Sequence, residues 1–158
     1  MLGNHLFGIY EKALNPMDDW DTRFRKIRKL GFDFMEMSID VTDERLARLD
    51  YSDAQLLLVA ESARAEGVGI RSMCLSANRR FPIGSADEQT RRRGLEIIKK
   101  AIHVSSVMGI RVILISAYDV YGEPSTPESR QRFRDGLKWA ASLAANTVGP
   151  NYRQIEVH

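Results

Sequence analysis

Polar and cationic side chains follow the apolar runs of this sequence at the points where the runs end. The clearest case is the segment MCLSANRRFP (73–82), in which an apolar run passes directly into Ser76, Asn78, Arg79 and Arg80. Guanidinium groups bind phosphate and carboxylate through paired N–H donors. The segment therefore indicates an anion-binding loop, and the alternative is that both arginines are solvated and pair with a nearby Asp or Glu.

The other apolar runs also end in polar residues. Tyr10, Glu11 and Lys12 follow the first run, and Tyr118 and Asp119 follow the fourth. In parallel α/β sheets the carboxyl ends of the strands meet at one edge, and ligands bind there. If these runs are parallel strands, we expect their polar ends to converge on one binding face.

Glu36 is a carboxylate inside an apolar run, between Met35 and Met37. A charged group in that setting must be paired, bound to a ligand or exposed at the mouth of a barrel. A functional site and a structural ion pair fit the pattern equally well. The three histidines of the chain do not have the spacing of metal ligands.

The composition is that of a globular protein, with 44% hydrophobic residues over 158 positions, enough for one ordinary domain. The formal net charge is only +2, so no bulk field attracts nucleic acid. No apolar run approaches the roughly 18 residues of a membrane span, and the N-terminus does not have the pattern of a signal peptide. The single cysteine, Cys74, fits a reducing cytoplasm and predicts a buried, unreactive thiol.

Four units of apolar run, polar loop, amphipathic segment and glycine repeat along the chain. The apolar runs cover 5–10, 32–39, 69–76 and 110–117. The helical segments cover about 19–30, 52–67, 87–108 and 127–145. Alternating β and α segments predict an α/β fold with a parallel sheet, and the glycines that end the helices predict a left-handed backbone.

Right-handed crossovers place every helix on one side of a sheet whose strands pair in chain order. That arrangement is a (β/α)8 barrel or a part of one. The alternative is a doubly wound open sheet, but neither its glycine-rich dinucleotide motif nor a Walker A loop is present in the sequence.

Several longer motifs occur in a characteristic order along the chain. They are GIYEKAL, GFDFMEMSID, TDERLARLD, MCLSANRRFPIGS, GLEIIKKAI, GIRVILISAYDVY and RQRFRDGLKWA. Together they resemble the L-ribulose-5-phosphate (L-xylulose-5-phosphate) 3-epimerase family, whose older name is hexulose-6-phosphate isomerase. The resemblance extends from about Leu6 to about Ala145 and implies a xylose isomerase-like TIM barrel.

The resemblance implies a cytoplasmic isomerase of L-ascorbate and related pentose degradation that inverts C3 of a ketopentose 5-phosphate. Removal of the C3 proton beside the C2 carbonyl gives an enediolate, which a divalent metal stabilises as a Lewis acid. Two carboxylates on opposite faces remove a proton and return one. In the family these two glutamates, an aspartate and a histidine also bind the metal, usually zinc.

The resemblance also implies which residues line the sugar-phosphate pocket. They are Glu36, Ser76, Asn78, Arg79, Tyr118 and Asp119. Asn78 stands where the family motif has a histidine, so this position keeps hydrogen bonding but loses proton transfer near neutral pH. Glu156, in the run IEVH, is the candidate for the catalytic and metal-binding glutamate of the fifth strand, and a chance match is the alternative.

A TIM barrel usually takes about 250 residues, whereas this chain ends near a fifth strand. We therefore expect one domain over 1–158 that forms the N-terminal half of a barrel, with about four βα units, a possible fifth strand and a divergent tail at 146–158. Strands one and four should be open edges, and an uncovered apolar inner face should favour self-association.

Three functional hypotheses follow from these expectations. The first is a metal-dependent C3 epimerase of pentulose 5-phosphates. The second is a catalytically inactive fragment that acts as a sugar-phosphate-binding or dimerisation module. The third, a DNA-repair endonuclease on the same kind of barrel, would need a histidine-rich metal site and a DNA-binding surface, and the sequence indicates neither.

Overall fold

The apolar runs of the sequence form a parallel sheet whose strands pair in chain order. The computed structural model describes residues 5–147 in full and the backbone of residues 156–157. The strands are β1 (Gly8–Tyr10), β2 (Phe34–Ile39), β3 (Gly69–Leu75), β4 (Val112–Ile115) and β5 (Glu156–Val157). The sequential order matches an arc of a (β/α)8 barrel rather than a doubly wound sheet.

Along the chain the helices alternate with the strands, as the repeat of the sequence predicts. They are α1 (Trp20–Lys29), α2 (Asp43–Ala47), α3 (Asp53–Ala65), α4 (Glu88–Met108) and α5 (Pro127–Asn146). The short helix α2 is not predicted, because five residues are too few to show a helical period. None of the described helices is long and apolar enough to cross a bilayer.

Local signals in the sequence set the ends of the helices. Ser52 caps α3, and its side chain and that of Gln55 form a reciprocal capping box. Gly67 and Gly109, which follow α3 and α4, have φ angles of +68° and +79°. The predicted left-handed helix ends are confirmed at both positions, where a side chain would add strain.

Alternate residues of each strand face the helices and form the core. Met35, Met37 and Ile39 of β2 are fully buried, as is Met73 of β3. Phe24 and Ile27 of α1 and Leu56 of α3 are also fully buried in this hydrophobic cluster. The strands thus contribute every second residue to the core, and the helices contribute residues three to four positions apart.

The opposite face of the sheet is not covered by the described helices. Glu36, Ser72, Cys74 and Leu114 share this face by register, and each is partly or fully exposed. The expected apolar inner face is therefore mixed in character, because Glu36 and Ser72 are polar whereas Cys74 and Leu114 are not. The prediction that Cys74 is buried is wrong, since its side chain points to the uncovered face and is half-buried.

The fifth strand covers part of one predicted edge. Glu156 pairs with Val112 and Val157 pairs with Ile113, in parallel. The prediction that strand four is an open edge is thus wrong for the first half of β4, because the chain returns beside it after α5. Among the described strands β1 pairs only with β2, so the other predicted edge is present.

Candidate functional site

The segment after β3 is held by both neighbouring strands at the carboxyl edge of the sheet. The backbone N–H of Ser76 donates to the carbonyl of Ile39, at 2.9 Å. The side-chain amide of Asn78 donates to the carbonyl of Ser116, at 3.0 Å. Asn78 is 5% exposed, and its Oδ1 has no hydrogen-bond partner among the described residues. Asn78 therefore joins the ends of β3 and β4, and its side-chain oxygen is buried from solvent.

Arg79 is oriented by two tyrosines from the loop after β4. Its Nε donates to the hydroxyl of Tyr118, at 2.9 Å, and its guanidinium carbon lies 5.9 Å from the ring centre of Tyr121. The two tyrosine rings are themselves 5.5 Å apart. No described residue accepts a hydrogen bond from the terminal nitrogens of Arg79. Arg79 therefore places a guanidinium with unused N–H donors at this edge of the sheet. Such a group can bind an anion.

Arg80, the next residue, has a different environment. Its Nη1 donates to the carbonyl of Val41, at 3.1 Å, and to the carboxylate of Asp43, at 2.5 Å. The alternative of a loop arginine paired with a nearby carboxylate is thus correct for Arg80. Arg79 and Arg80 are adjacent in sequence, yet the first faces the β4 loop and the second faces the β2 loop.

Glu36 lies inside β2 rather than at its end. Its Oε2 accepts a hydrogen bond from the hydroxyl of Ser72, at 2.8 Å, and Tyr10 is its register neighbour on β1. No Lys or Arg of the described residues forms an ion pair with it, so the structural ion pair is not found there. Glu36 precedes the last residue of β2 by three positions, roughly 10 Å along the strand, and the structure does not bring it together with Arg79.

Asp119 is engaged with the start of α5. Its Oδ2 accepts hydrogen bonds from Ser125 Oγ, at 2.9 Å, and from Ser129 Oγ. The hydrogen bond from Ser129, followed by that from Ser125, lowers the pKa of Asp119. Its backbone carbonyl accepts from Gly84, at 3.0 Å, and a Cβ at Gly84 would lie only 2.3 Å from that oxygen. These contacts support a role in fixing the loop before α5.

A buried carboxylate surrounded by arginines adjoins this edge. The sequence places it among the polar strand ends but does not predict its burial or its arginine partners. Glu11 is 1% exposed and forms ion pairs with Arg23, Arg45 and Arg48. Its Oε2 also accepts from the backbone N–H of Ser38, at 2.8 Å. Four donors around one carboxylate offset much of the cost of burying its charge. Two features of the sequence could have indicated this cluster: a glutamate directly after a strand, and Arg45 and Arg48 spaced i, i+3.

Trp20 completes this cluster on the side of α1. The guanidinium carbons of Arg23 and Arg48 each lie 4.8 Å from the centre of its ring system. The indole therefore shields two cations that also bind Glu11. The cluster ties the end of β1 to α1 and α2, so it positions the first strand tip of the carboxyl edge.

Asp40, at the end of β2, forms a second charged contact. Lys12 Nζ lies 2.6 Å from its Oδ2, and Thr42 donates to its Oδ1 from both the backbone and the hydroxyl, at 2.9 and 2.7 Å. Burial alone would raise the pKa of Asp40, but the hydrogen bonds from Lys12 and Thr42 outweigh it and lower the pKa to about 2. Asp40 is therefore ionised near neutral pH.

The described residues do not by themselves form a metal site. Within 5–147, no group of three or more His, Cys, Asp or Glu side chains could hold a metal ion. The backbone of Glu156 lies level with Val112, the first residue of β4, and its side chain lies outside the described part of the chain. The roles of Glu156 as catalytic residue and zinc ligand therefore stay predictions.

Sequence comparison identifies the family of this half-barrel. The profile of the xylose isomerase-like TIM barrel family matches residues 24–149. The chain belongs to this family. A curated relative, L-ribulose-5-phosphate 3-epimerase UlaE from Escherichia coli (strain SE11), is 52% identical over 138 residues, which are 87% of this chain and 49% of the relative.

Solved xylose isomerase-like structures have the same arrangement of strands and helices. A D-psicose 3-epimerase crystallised in the presence of D-fructose has a TM-score of 0.72 and 20% identity, over 90% of this chain and 50% of that protein. An L-ribulose 3-epimerase has a TM-score of 0.68 and 20% identity, over 89% and 46%. At these identities the likeness shows the fold. The chain spans about half the length of the curated relatives it matches, and the resulting structure is a partial TIM barrel.

Proposed function

We propose that this chain is the N-terminal half of an enzyme that interconverts L-ribulose 5-phosphate and L-xylulose 5-phosphate by inversion at C3. The observation that carries the proposal is the 52% identity over 138 residues to an L-ribulose-5-phosphate 3-epimerase. The enzyme would act in cytoplasmic carbohydrate degradation, including that of L-ascorbate. The order of the strands and the polar groups at their carboxyl ends support this assignment.

The contribution of the described half is substrate binding. Arg79 presents terminal N–H donors suited to a phosphate or another anionic group of the substrate. Asn78 joins the ends of β3 and β4 through its side-chain amide, and so it positions the segment that carries Arg79. Ser76 and Tyr118 hold this segment in place, the first through the backbone of β2 and the second through Arg79.

The chemistry at C3 requires a base on each face of the sugar, because inversion removes a proton from one face and adds one to the other. Glu36 is a carboxylate on the uncovered face with one neutral hydrogen-bond partner, and we assign it to the lining of the pocket. Asp119 belongs to the proposed lining as a residue that positions the loop carrying Tyr118. Zinc and Glu156 remain predictions from the family resemblance, and residues 5–147 alone supply no metal site.

A second candidate function is a sugar-phosphate-binding or dimerisation module without turnover. It is favoured by the character of the described polar groups, since Arg79 presents free N–H donors for binding and neither Arg79 nor Asn78 is a proton-transfer group near neutral pH. For the chain on its own we propose that a second copy covers the uncovered face of the sheet. The relatives are about twice as long as this chain, so two copies would supply the strands of a full barrel.

The decisive experiment measures both activity and binding with the purified chain. C3 epimerisation of L-ribulose 5-phosphate is followed by NMR, and binding of the same compound is followed by calorimetry. Turnover supports the epimerase, and binding without turnover supports the module. A chain that neither binds nor converts the compound would overturn both.

A matched pair of variants tests the contribution of Arg79. Arg79→Ala removes the proposed anion contact, whereas Arg92→Ala removes an exposed arginine of α4 whose partner is Glu88. We expect Arg79→Ala to weaken binding by about tenfold or more, since a charge-assisted contact is lost. Arg92→Ala should bind like the parent chain, and equal losses in both variants would contradict the assignment.

A further inference from the structure

We propose that the amino edge of the sheet carries a second ligand site, which takes an organic phosphate. A cavity of about 760 Å³ lies there, between the ends of α3 and α4 and the first residues of β3 and β4. Its volume is within the range of small-molecule sites, roughly 300 to 1,000 Å³. The site is separate from the proposed epimerase function, which uses the carboxyl edge.

The charged groups of the cavity are all cationic. Arg64 comes from the last turn of α3, Arg71 from β3, and Arg111 from the residue before β4. Among the described residues that line the cavity, none is Asp or Glu. None of the three arginines forms an ion pair with another described residue. Three arginines from three elements thus line one volume, which favours a ligand with concentrated negative charge.

The partial negative charges at two helix ends oppose the positive charge of the three arginines but do not cancel it. Both α3 and α4 present their carboxyl ends to the cavity, as the lining residues Gly67 and Gly109 indicate. Each helix end is equivalent to roughly −0.5 charge, so the two together offset about one of the three positive charges. Their terminal carbonyls can also accept hydrogen bonds from hydroxyl groups of a ligand.

Arg71 is held in position before any ligand binds. The pairing of β2 with β3 shifts by one residue here, from Met35–Ile70 to Glu36–Ser72, so Arg71 is the extra residue of a β-bulge. Its guanidinium lies over the ring of Phe34, at 5.9 Å. A Cβ on Gly69 would lie 3.3 Å from its Cγ and Nε, so glycine lets this side chain fold back over the strand.

The remaining lining gives the ligand an apolar surface. Ala60 and Val112 are partly exposed, and Val68, Ile70 and Met108, which are at least nine-tenths buried, add smaller apolar areas. A cationic rim over an apolar floor matches a phosphate ester with a ring-containing body better than it matches a small inorganic anion.

The test uses adenosine 5′-monophosphate as the probe organic phosphate, with adenosine and inorganic phosphate for comparison. Calorimetry with the full chain should show saturable binding of the nucleotide, with at least about tenfold weaker binding of both comparison compounds. The double variant Arg71→Ala/Arg111→Ala should weaken nucleotide binding by about tenfold or more. Arg92→Ala, an exposed arginine outside the cavity, should change it by less than about twofold. Circular dichroism confirms that each variant is folded.

Three results would overturn the proposal. The first is the absence of saturable nucleotide binding up to about 5 mM. The second is an equal loss of binding in Arg92→Ala and in the double variant, which would reflect net charge alone. The third is loss of nucleotide binding in Arg79→Ala, which would place the nucleotide at the carboxyl edge. If the chain does not bind L-ribulose 5-phosphate, the proposal of a site at the amino edge still stands or falls by the nucleotide measurements alone.

Discussion

Arg48 donates from one nitrogen to both carboxylate oxygens of Glu11, at 2.8 and 3.0 Å, in a site from which solvent is almost entirely excluded. Arg23 and Arg45 bind the same carboxylate. The neutral variant Glu11→Gln would leave three guanidinium groups without their shared anion. We expect it to lower the free energy of unfolding by about 3 kcal/mol or more, as measured by urea denaturation.

The control for this prediction is Glu61→Gln, which makes the same chemical change at an exposed position of α3. Its effect should stay within about 0.5 kcal/mol. A Glu11→Gln variant as stable as this control would show that the arginine cluster does not depend on the carboxylate.

The ion pair of Asp40 with Lys12 should make stability depend on acid pH. The pKa of Asp40 is about 2 in the folded chain, below the value near 3.9 of an unfolded aspartate. The unfolded state therefore binds the proton more readily, and the contribution of Asp40 is complete above about pH 4 and is lost as the pH falls towards 2. The difference in unfolding free energy between the parent and Asp40→Asn should be largest near neutral pH and shrink over this interval. A difference independent of pH would contradict the prediction.

Asp119 should affect stability more than it affects binding. Asp119→Ala removes the acceptor of Ser125 and Ser129, and we expect a loss of about 1–2 kcal/mol in the free energy of unfolding. Asp135→Ala on the exposed face of α5 is the matched control, since that carboxylate accepts a side-chain hydrogen bond only from Gln131 among the described residues. Unchanged stability together with lost sugar-phosphate binding would instead make Asp119 a ligand-contacting residue.

Tyr118→Phe should report on the orientation of Arg79. The variant keeps the ring beside Tyr121 and removes only the hydroxyl that accepts from Arg79 Nε. We expect binding of L-ribulose 5-phosphate to weaken about threefold to tenfold, with little change in stability, since one hydrogen bond of about 1 kcal/mol is lost. Calorimetry measures the first quantity and denaturation the second. Binding equal to that of the parent would show that Arg79 does not need this partner.

Leu114→Asp should disrupt the proposed association of two copies. Leu114 is 45% exposed on the uncovered face of the sheet, and Leu57 on α3 is 46% exposed. The same substitution at Leu57 therefore tests the effect of the new charge alone. Analytical ultracentrifugation should show a dimer for the parent and for Leu57→Asp, and a monomer for Leu114→Asp. A monomeric parent chain would contradict the proposed self-association.

The secondary structure of this chain follows closely from local properties of its sequence. The alternation of apolar runs with amphipathic segments predicts α1, α3, α4 and α5 to within about two residues at each end. The left-handed glycine after α4 is also predicted, because the end of a helix depends on only a few neighbouring residues. The parallel order of the strands followed from the chirality of βαβ units.

The sequence by itself thus determined the strands and the four long helices, their order and the edge of the sheet where polar groups meet. Only the tertiary structure decided what each polar group contacts. Arg79 and Arg80 are indistinguishable in sequence, but the turn after β3 directs one towards Tyr118 and the other towards Asp43. Glu11 could not be paired with Arg48 from the sequence, because 37 positions separate them and only the packing of α1 and α2 against the sheet brings them together.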